Sequence, residues 1–263
     1  MTHWWQRLKN LGRTPAPIAQ ALWDATLAQY PFLMERSQAD IDALRQASAQ
    51  FLRSKQFSGA HGLTITDEMA LAIAAQACLP VLNLGLHWYD DFQGIVVHPG
   101  AMLARRELQD EAGVVHHYRE ELSGEAMPGG PVTLSWQDVQ EACTQTGYNV
   151  VIHEFVHKLD MRDGSADGCP PLHSSALARR WTGVMQAAFD DYTEALAKAQ
   201  RFGGPTPWLD PYAATAPAEF FAVACEAYFV NRTRFALELP SLLVLFDEFF
   251  TGQTHRPKAP PPP

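Results

Sequence analysis

Residues 148–164 read YNVVIHEFVHKLDMRDG: two histidines four positions apart in an otherwise apolar run, with a glutamate directly after the first. A helix advances about 100° per residue, so positions i and i+4 stand nearly above one another and can aim two imidazoles at one point. His153 and His157 meet that spacing. Glu154 falls at the edge of the same face, where its carboxylate reaches a water on a metal without taking a coordination position. Val151, Ile152, Phe155, Val156 and Leu159 surround the trio, which predicts a buried helix. Three uncompensated ionisable groups there would each cost several kcal/mol, and a bound cation removes that cost. A single histidine is usually an ordinary core or surface residue. With ten in the chain, however, random placement yields His-Glu-x-x-His only on the order of 0.02 times.

Upstream of the motif, PIAQALWDATLAQYPFL (17–33) and SQADIDALRQASAQFLRSK (37–55) carry apolar residues at three-and-four spacing, and Ser37 with Asp40 reads as a helix start. Thr66 is the expected N-cap of an alanine-rich helix that stops before Pro80. The middle changes period: GIVVHPG (94–100), GVVHHYREEL (113–122) and GPVTLSW (130–136) are short β-rich runs bounded by glycine and proline, expected to form one small sheet. Ser135 begins a further helix, SWQDVQEACTQTG, closed at Gly147. Beyond the motif come a turn-rich loop (163–171), a long helix from about 174 to 200, a helix over PAEFFAVACEAYFVNRTRF (217–235) and another over PSLLVLFDEFF (240–250). The tail THRPKAPPPP (254–263) packs neither as helix nor as strand and is expected to be disordered. The pattern predicts an α+β, mainly helical fold with a small sheet beside the motif helix. Residues 1–253 form one unit, with a helical layer at about 15–86 and a core at about 87–253.

Composition excludes several function classes. With 47% apolar residues the chain is expected to be globular, and a formal net charge of −9 argues against a phosphate-binding surface and hence against direct contact with nucleic acid. The four cysteines, Cys78, Cys143, Cys169 and Cys225, show neither a CxxC pair nor a disulfide framework, and MTHWWQRLKNLGRTPAP lacks an apolar signal core. Both features place the protein in a reducing cytoplasm. The longest apolar stretch, Met69 to Leu86, is broken by Gln76, Pro80 and Asn83 and reads as a core helix and connector, not a membrane span.

A catalytic zinc ion takes three protein ligands and leaves its fourth position to water. No HxxGxxH continuation follows His157, so the third ligand comes from elsewhere, and a downstream glutamate is the common solution. Glu219 opens an apolar helix just after Pro217, and Glu226 lies two turns on along the same face. Glu219 also reads as a first-turn acid favoured by the helix dipole, and Glu226 as a solvated residue. Asp160, three residues beyond His157, falls on the same stripe. It is either a carboxylate supporting a zinc-bound histidine or the residue that caps the helix and holds the loop at Arg162.

HEFVHKLD followed by DPYAATAPAEFFAVACEAYF resembles the Mlc titration factor A family of bacterial zinc peptidases and, more distantly, the catalytic domain of anthrax lethal factor. The resemblance covers most of the chain up to Phe250. It implies a gluzincin-type site with one Zn2+ per chain: His153, His157 and Glu219 as ligands, Glu154 as general base, and Tyr212 as the hydroxyl that stabilises the oxyanion, with Glu226 in a supporting part. The implied reaction is metal-assisted hydrolysis of a peptide bond, Glu154 taking a proton from water and passing it to the leaving amine. By analogy with that fold the substrate lies extended along an edge strand, for which GPVTLSW is the candidate. The resemblance also implies a different class of function, a cytoplasmic binding protein that sequesters the Mlc repressor and so regulates sugar-phosphotransferase genes, either alongside peptidase activity or in its place over a vestigial or structural zinc site.

Overall fold

The computed structural model describes residues 17–109, 115–142 and 147–252, for 103–109 and 115–122 the backbone alone. The proline-rich tail, 254–263, lies outside the described residues. In chain order the elements are α1 (Gln20–Gln29), α2 (Gln38–Ser54), β1 (Gln56–Gly59), α3 (Asp67–Cys78), β2 (Gly94–His98), β3 (Met102–Gln109), β4 (Val115–Leu122), β5 (Gly124–Ala126), β6 (Val132–Ser135), α4 (Trp136–Glu141), α5 (Val150–Asp160), α6 (Ser175–Phe202), α7 (Pro217–Val230), α8 (Arg232–Glu238) and α9 (Pro240–Thr251). The fold is mainly helical α+β.

Local chemistry sets the helix starts. Ser37, Thr66, Ser135 and Ser174 each accept a hydrogen bond from a backbone amide three residues on, satisfying a donor that the first turn leaves orphaned. Asn149 does the same for α5 through the Ile152 amide, 2.9 Å away. The expected long helix over 217–235 is broken at Asn231, whose side chain caps α8 by accepting from Arg234 N. Local side-chain bonding at asparagine competes with continuation of the helix. The helix begun at Ser135 ends at Glu141, well short of Gly147.

The sheet corrects two expectations. Its strand order is β1-β2-β6-β5, with β1, β2 and β6 parallel and β5 antiparallel to β6. Of the run 113–122, the described part, 115–122, belongs instead to a separate antiparallel pair, β3 with β4. The run 130–136, expected at the edge, contributes β6, which is internal; the edge strand next to it is β5. Three residues are too few to show a period in sequence, and β6 reads as an edge strand only while β5 goes unrecognised.

Helix α5 lies at the centre of the molecule, in contact with α3, α7, β5 and β6. Its apolar side chains join one buried cluster that runs from Ile18 to Phe250. Phe155 makes edge and tilted contacts with Phe51, Tyr89 and Phe92, fixing the back of the helix. Lys158, one residue past the second histidine, is fully buried. Its ammonium donates to Met127 O at 2.9 Å, pairs with Asp91 at 3.0 Å and lies 4.5 Å from the centre of the Phe92 ring. That cation ties the helix to the turn joining β5 to β6. Among the described residues no helix is long and apolar enough to cross a membrane.

Candidate metal centre

Helices α5 and α7 pack together and bring His153, His157 and Glu219 to one point. Glu219 Oε2 is 3.0 Å from His153 Nε2 and 3.2 Å from His157 Nε2, and the two ring nitrogens are 3.2 Å apart. Glu219 occupies the first turn of α7, where Pro217 suits the helix start and the dipole favours a carboxylate.

The imidazole of His153 is oriented from behind. Its Nδ1 is 2.7 Å from Glu226 Oε1, so Nδ1–H donates to that carboxylate and Nε2 is the nitrogen turned toward the cluster. Glu226 is 2% exposed, a buried residue and not a solvated one. Its second oxygen accepts from the Asn149 amide, and Asn149 Nδ2 donates to Gln76 Oε1 at 2.7 Å. One chain of hydrogen bonds therefore runs from α3 through the cap of α5 to the back of the first histidine.

Electrostatics couple the three groups tightly. Burial raises the Glu219 carboxyl, but hydrogen bonds from both histidines outweigh it and hold that group well below the usual carboxylate range. Burial lowers His153, yet Glu219 and Glu226 drive it well above the ordinary imidazole value. Two close Nε2 atoms and a carboxylate oxygen thus demand a positive charge between them. Two imidazole nitrogens and one carboxylate are a donor set that suits zinc, so the residues fit the ion.

Glu154 stands beside this cluster, 6% exposed, and burial raises its carboxyl above the usual range. It packs under the start of the edge strand: a Cβ on Gly124 would come within 2.5 Å of Glu154 Oε1. Tyr212 lies on a short 3-10 turn, Pro211–Ala214, with its ring centroid 6.0 Å from that of His153. Asp210 caps the turn, accepting from Tyr212 N at 2.8 Å, and the hydroxyl of Tyr192 on α6 donates to the carbonyls of Leu209 and Asp210.

Six of the seven singled-out residues therefore converge: His153, Glu154, His157, Tyr212 and Glu219 around one centre, with Glu226 behind His153. Asp160 is not part of the metal-ligand group. It is buried and accepts from Gly168 N at 2.9 Å, tying down the loop after α5. Arg162 reaches Asp91 at 3.6 Å. Gly124, Asn149 and Asp210 were not legible as site residues. For two of them a signal existed, since asparagine before an apolar helix and Asp-Pro before a turn are cap signatures.

The chain belongs to a metallopeptidase family, the glucose-regulated metallo-peptidase M90 family, which it matches over residues 2–251, and its two histidines and one carboxylate form a group that could hold a metal ion. Among curated relatives it is similar to the Mlc titration factor A of Serratia proteamaculans, 36% identical over 241 residues covering 90% of each chain. It is likewise similar to that of Cronobacter sakazakii, 34% identical over 235 residues, 89% of this chain and 87% of the relative. The Mlc titration factor A of Escherichia coli O7:K1 is 33% identical over 251 residues, 95% and 91% of the two chains.

Proposed function

We propose that this chain is a cytoplasmic zinc peptidase with one Zn2+ held by His153, His157 and Glu219. The observation that carries the reading is the convergence of two histidine nitrogens and a carboxylate oxygen within 4.8 Å of one another, with Glu154 buried alongside. When bound, zinc lowers the pKa of water and polarises a carbonyl oxygen. Glu154 takes the proton from the attacking water and delivers it to the leaving amine, a task suited to a carboxyl whose affinity for protons burial has increased. The Tyr212 hydroxyl donates to the carbonyl oxygen as negative charge develops there. Glu226 keeps His153 in the tautomer that leaves Nε2 bare. The peptide lies along the outer edge of β5, the terminal strand of the sheet, next to Glu154.

The test is zinc content together with hydrolysis of peptide and aminoacyl substrates. Wild type should hold about one zinc and cleave. Glu154→Gln should keep the metal and lose activity, whereas Glu219→Ala should lose the metal. Absence of zinc from the wild type, or normal cleavage by Glu154→Gln, would overturn the assignment.

A second role is supported by the relatives' shared name, Mlc titration factor A: binding of the Mlc repressor through a surface independent of hydrolysis. Glu154→Gln should then retain Mlc binding in a pull-down while failing to cleave peptides.

A further inference from the structure

Beside the metal-ligand cluster lies a cavity of about 210 Å³, walled by Val150, Val223 and Tyr148 and bounded by Ser123 and Gly124 of the edge-strand entry. Three carboxylates face it, Glu154, Glu226 and Asp210, and no lysine or arginine is among the residues lining it. Two of the three are occupied within the site. Glu226 binds His153 and the Asn149 amide, and Glu154 packs under Gly124. Asp210 is the exposed one, commits one oxygen to the Tyr212 amide, and makes no ion pair among the described residues. Its position is fixed, because the Tyr192 hydroxyl holds the carbonyls of Leu209 and Asp210.

A negative charge set rigidly at the mouth of a small cavity, two residues before the hydroxyl that meets the scissile carbonyl, is placed to read a cation on the substrate. We infer that Asp210 is a specificity residue that receives a cationic nitrogen of the substrate next to the bond to be cleaved. The apolar walls take the aliphatic carbon atoms and Asp210 takes the charge. The nitrogen is either the α-ammonium of a substrate's first residue, which makes the enzyme an aminopeptidase, or the side-chain ammonium of a lysine inside a longer peptide. This inference rests on the peptidase reading above.

The test uses full-length protein and matched peptides differing in one charge: free against acetylated N-terminus, and lysine against norleucine beside the scissile bond. Asp210→Asn removes the charge while leaving an oxygen for the Tyr212 amide and a good cap for the turn. For one of the two pairs, wild type should favour the charged member about tenfold in kcat/KM, a preference that 0.5 M salt weakens and Asp210→Asn reduces to near unity. The pair that responds identifies the nitrogen. Wild type without charge preference, or Asp210→Asn with the wild-type preference, overturns the inference and leaves peptidase activity standing. If no peptide is cleaved, the peptidase reading fails separately. Binding of the same peptides, measured by calorimetry on wild type and Asp210→Asn, then decides: a charge-dependent Kd lost in Asp210→Asn supports the role of Asp210, and its absence overturns it.

Discussion

Glu226 Oε1 lies 2.7 Å from His153 Nδ1, while the other oxygen of the same carboxylate takes the amide of Asn149, the residue that caps the helix carrying that histidine. Position along the helix and rotation of the imidazole are therefore set by one buried group. Replacing Glu226 by glutamine keeps an acceptor but removes the charge that makes the imidazole a better donor to a metal. Zinc affinity should fall about 10- to 100-fold, measured by competition with a chromophoric chelator, while the circular dichroism spectrum stays that of wild type. An unchanged affinity would show that the carboxylate only fills space.

Gly124 and Glu154 make a second close relationship. A methyl group at 124 would sit 2.5 Å from Glu154 Oε1 and 2.6 Å from its Cγ. The carboxylate must swing away, and because it ends a flexible side chain it does so at small cost in stability. Gly124→Ala should reduce hydrolysis by tenfold or more, since a catalytic group displaced by about 1 Å loses that much or more. Zinc content and thermal midpoint should stay close to wild type. Equal activity in Gly124→Ala would show that Glu154 in this rotamer is not the working base.

How much of this was visible beforehand differs by element. The α5 motif was legible because both the histidine spacing and the apolar surround are local, and the caps at Ser37, Thr66, Ser135 and Ser174 needed only a few consecutive residues. Glu219 and Glu226 were legible as candidates but not as distinct roles. Only the packing of α7 on α5 decides that residue 219 faces both Nε2 atoms and residue 226 faces Nδ1. The sheet was the hardest part, since β1 and β5 are three or four residues long: β1 acquires its identity from β2, far along the chain, and β5 is the short arm of a turn back onto β6. Asp160 read equally as metal support or as the holder of the following loop, and the structure shows its carboxylate accepting from Gly168 N. The cation of Lys158 had no signature at all, because a lysine in a motif reads as solvated until its carbonyl partners are known.

That lysine should be costly to remove. Lys158→Met would keep the stem length but leave the Gly130 carbonyl without the ammonium, the Met127 carbonyl with only the Gly130 amide, and Asp91 without its main partner. Asp91 is partly exposed and recovers some hydration, which moderates the loss. The variant should be destabilised by roughly 2–3 kcal/mol, read from urea unfolding. A change under about 0.5 kcal/mol, the range of ordinary surface substitutions, would contradict this account.

Asp160 gives stability a pH dependence with a defined sign. Burial, against the hydrogen bond from Gly168, pushes its carboxyl up from 3.8 to about 6. Between those values the folded state holds a proton that the unfolded chain has released, so stability from this group falls as pH rises across the window. Above pH 6 the full cost is present, and below 3.8 it vanishes. The size is on the order of 2–3 kcal/mol. Asp160→Asn keeps an acceptor for Gly168 without the titration, so its advantage over the charged wild type should grow from about pH 4 to pH 6. Urea midpoints at half-unit intervals, wild type against Asp160→Asn, isolate this group from the titrations that both proteins share. A stability difference that is flat with pH, or one that shrinks as pH rises, would mean that Asp160 is ionised in the folded protein throughout and that its contact with the 161–171 loop rests on charge.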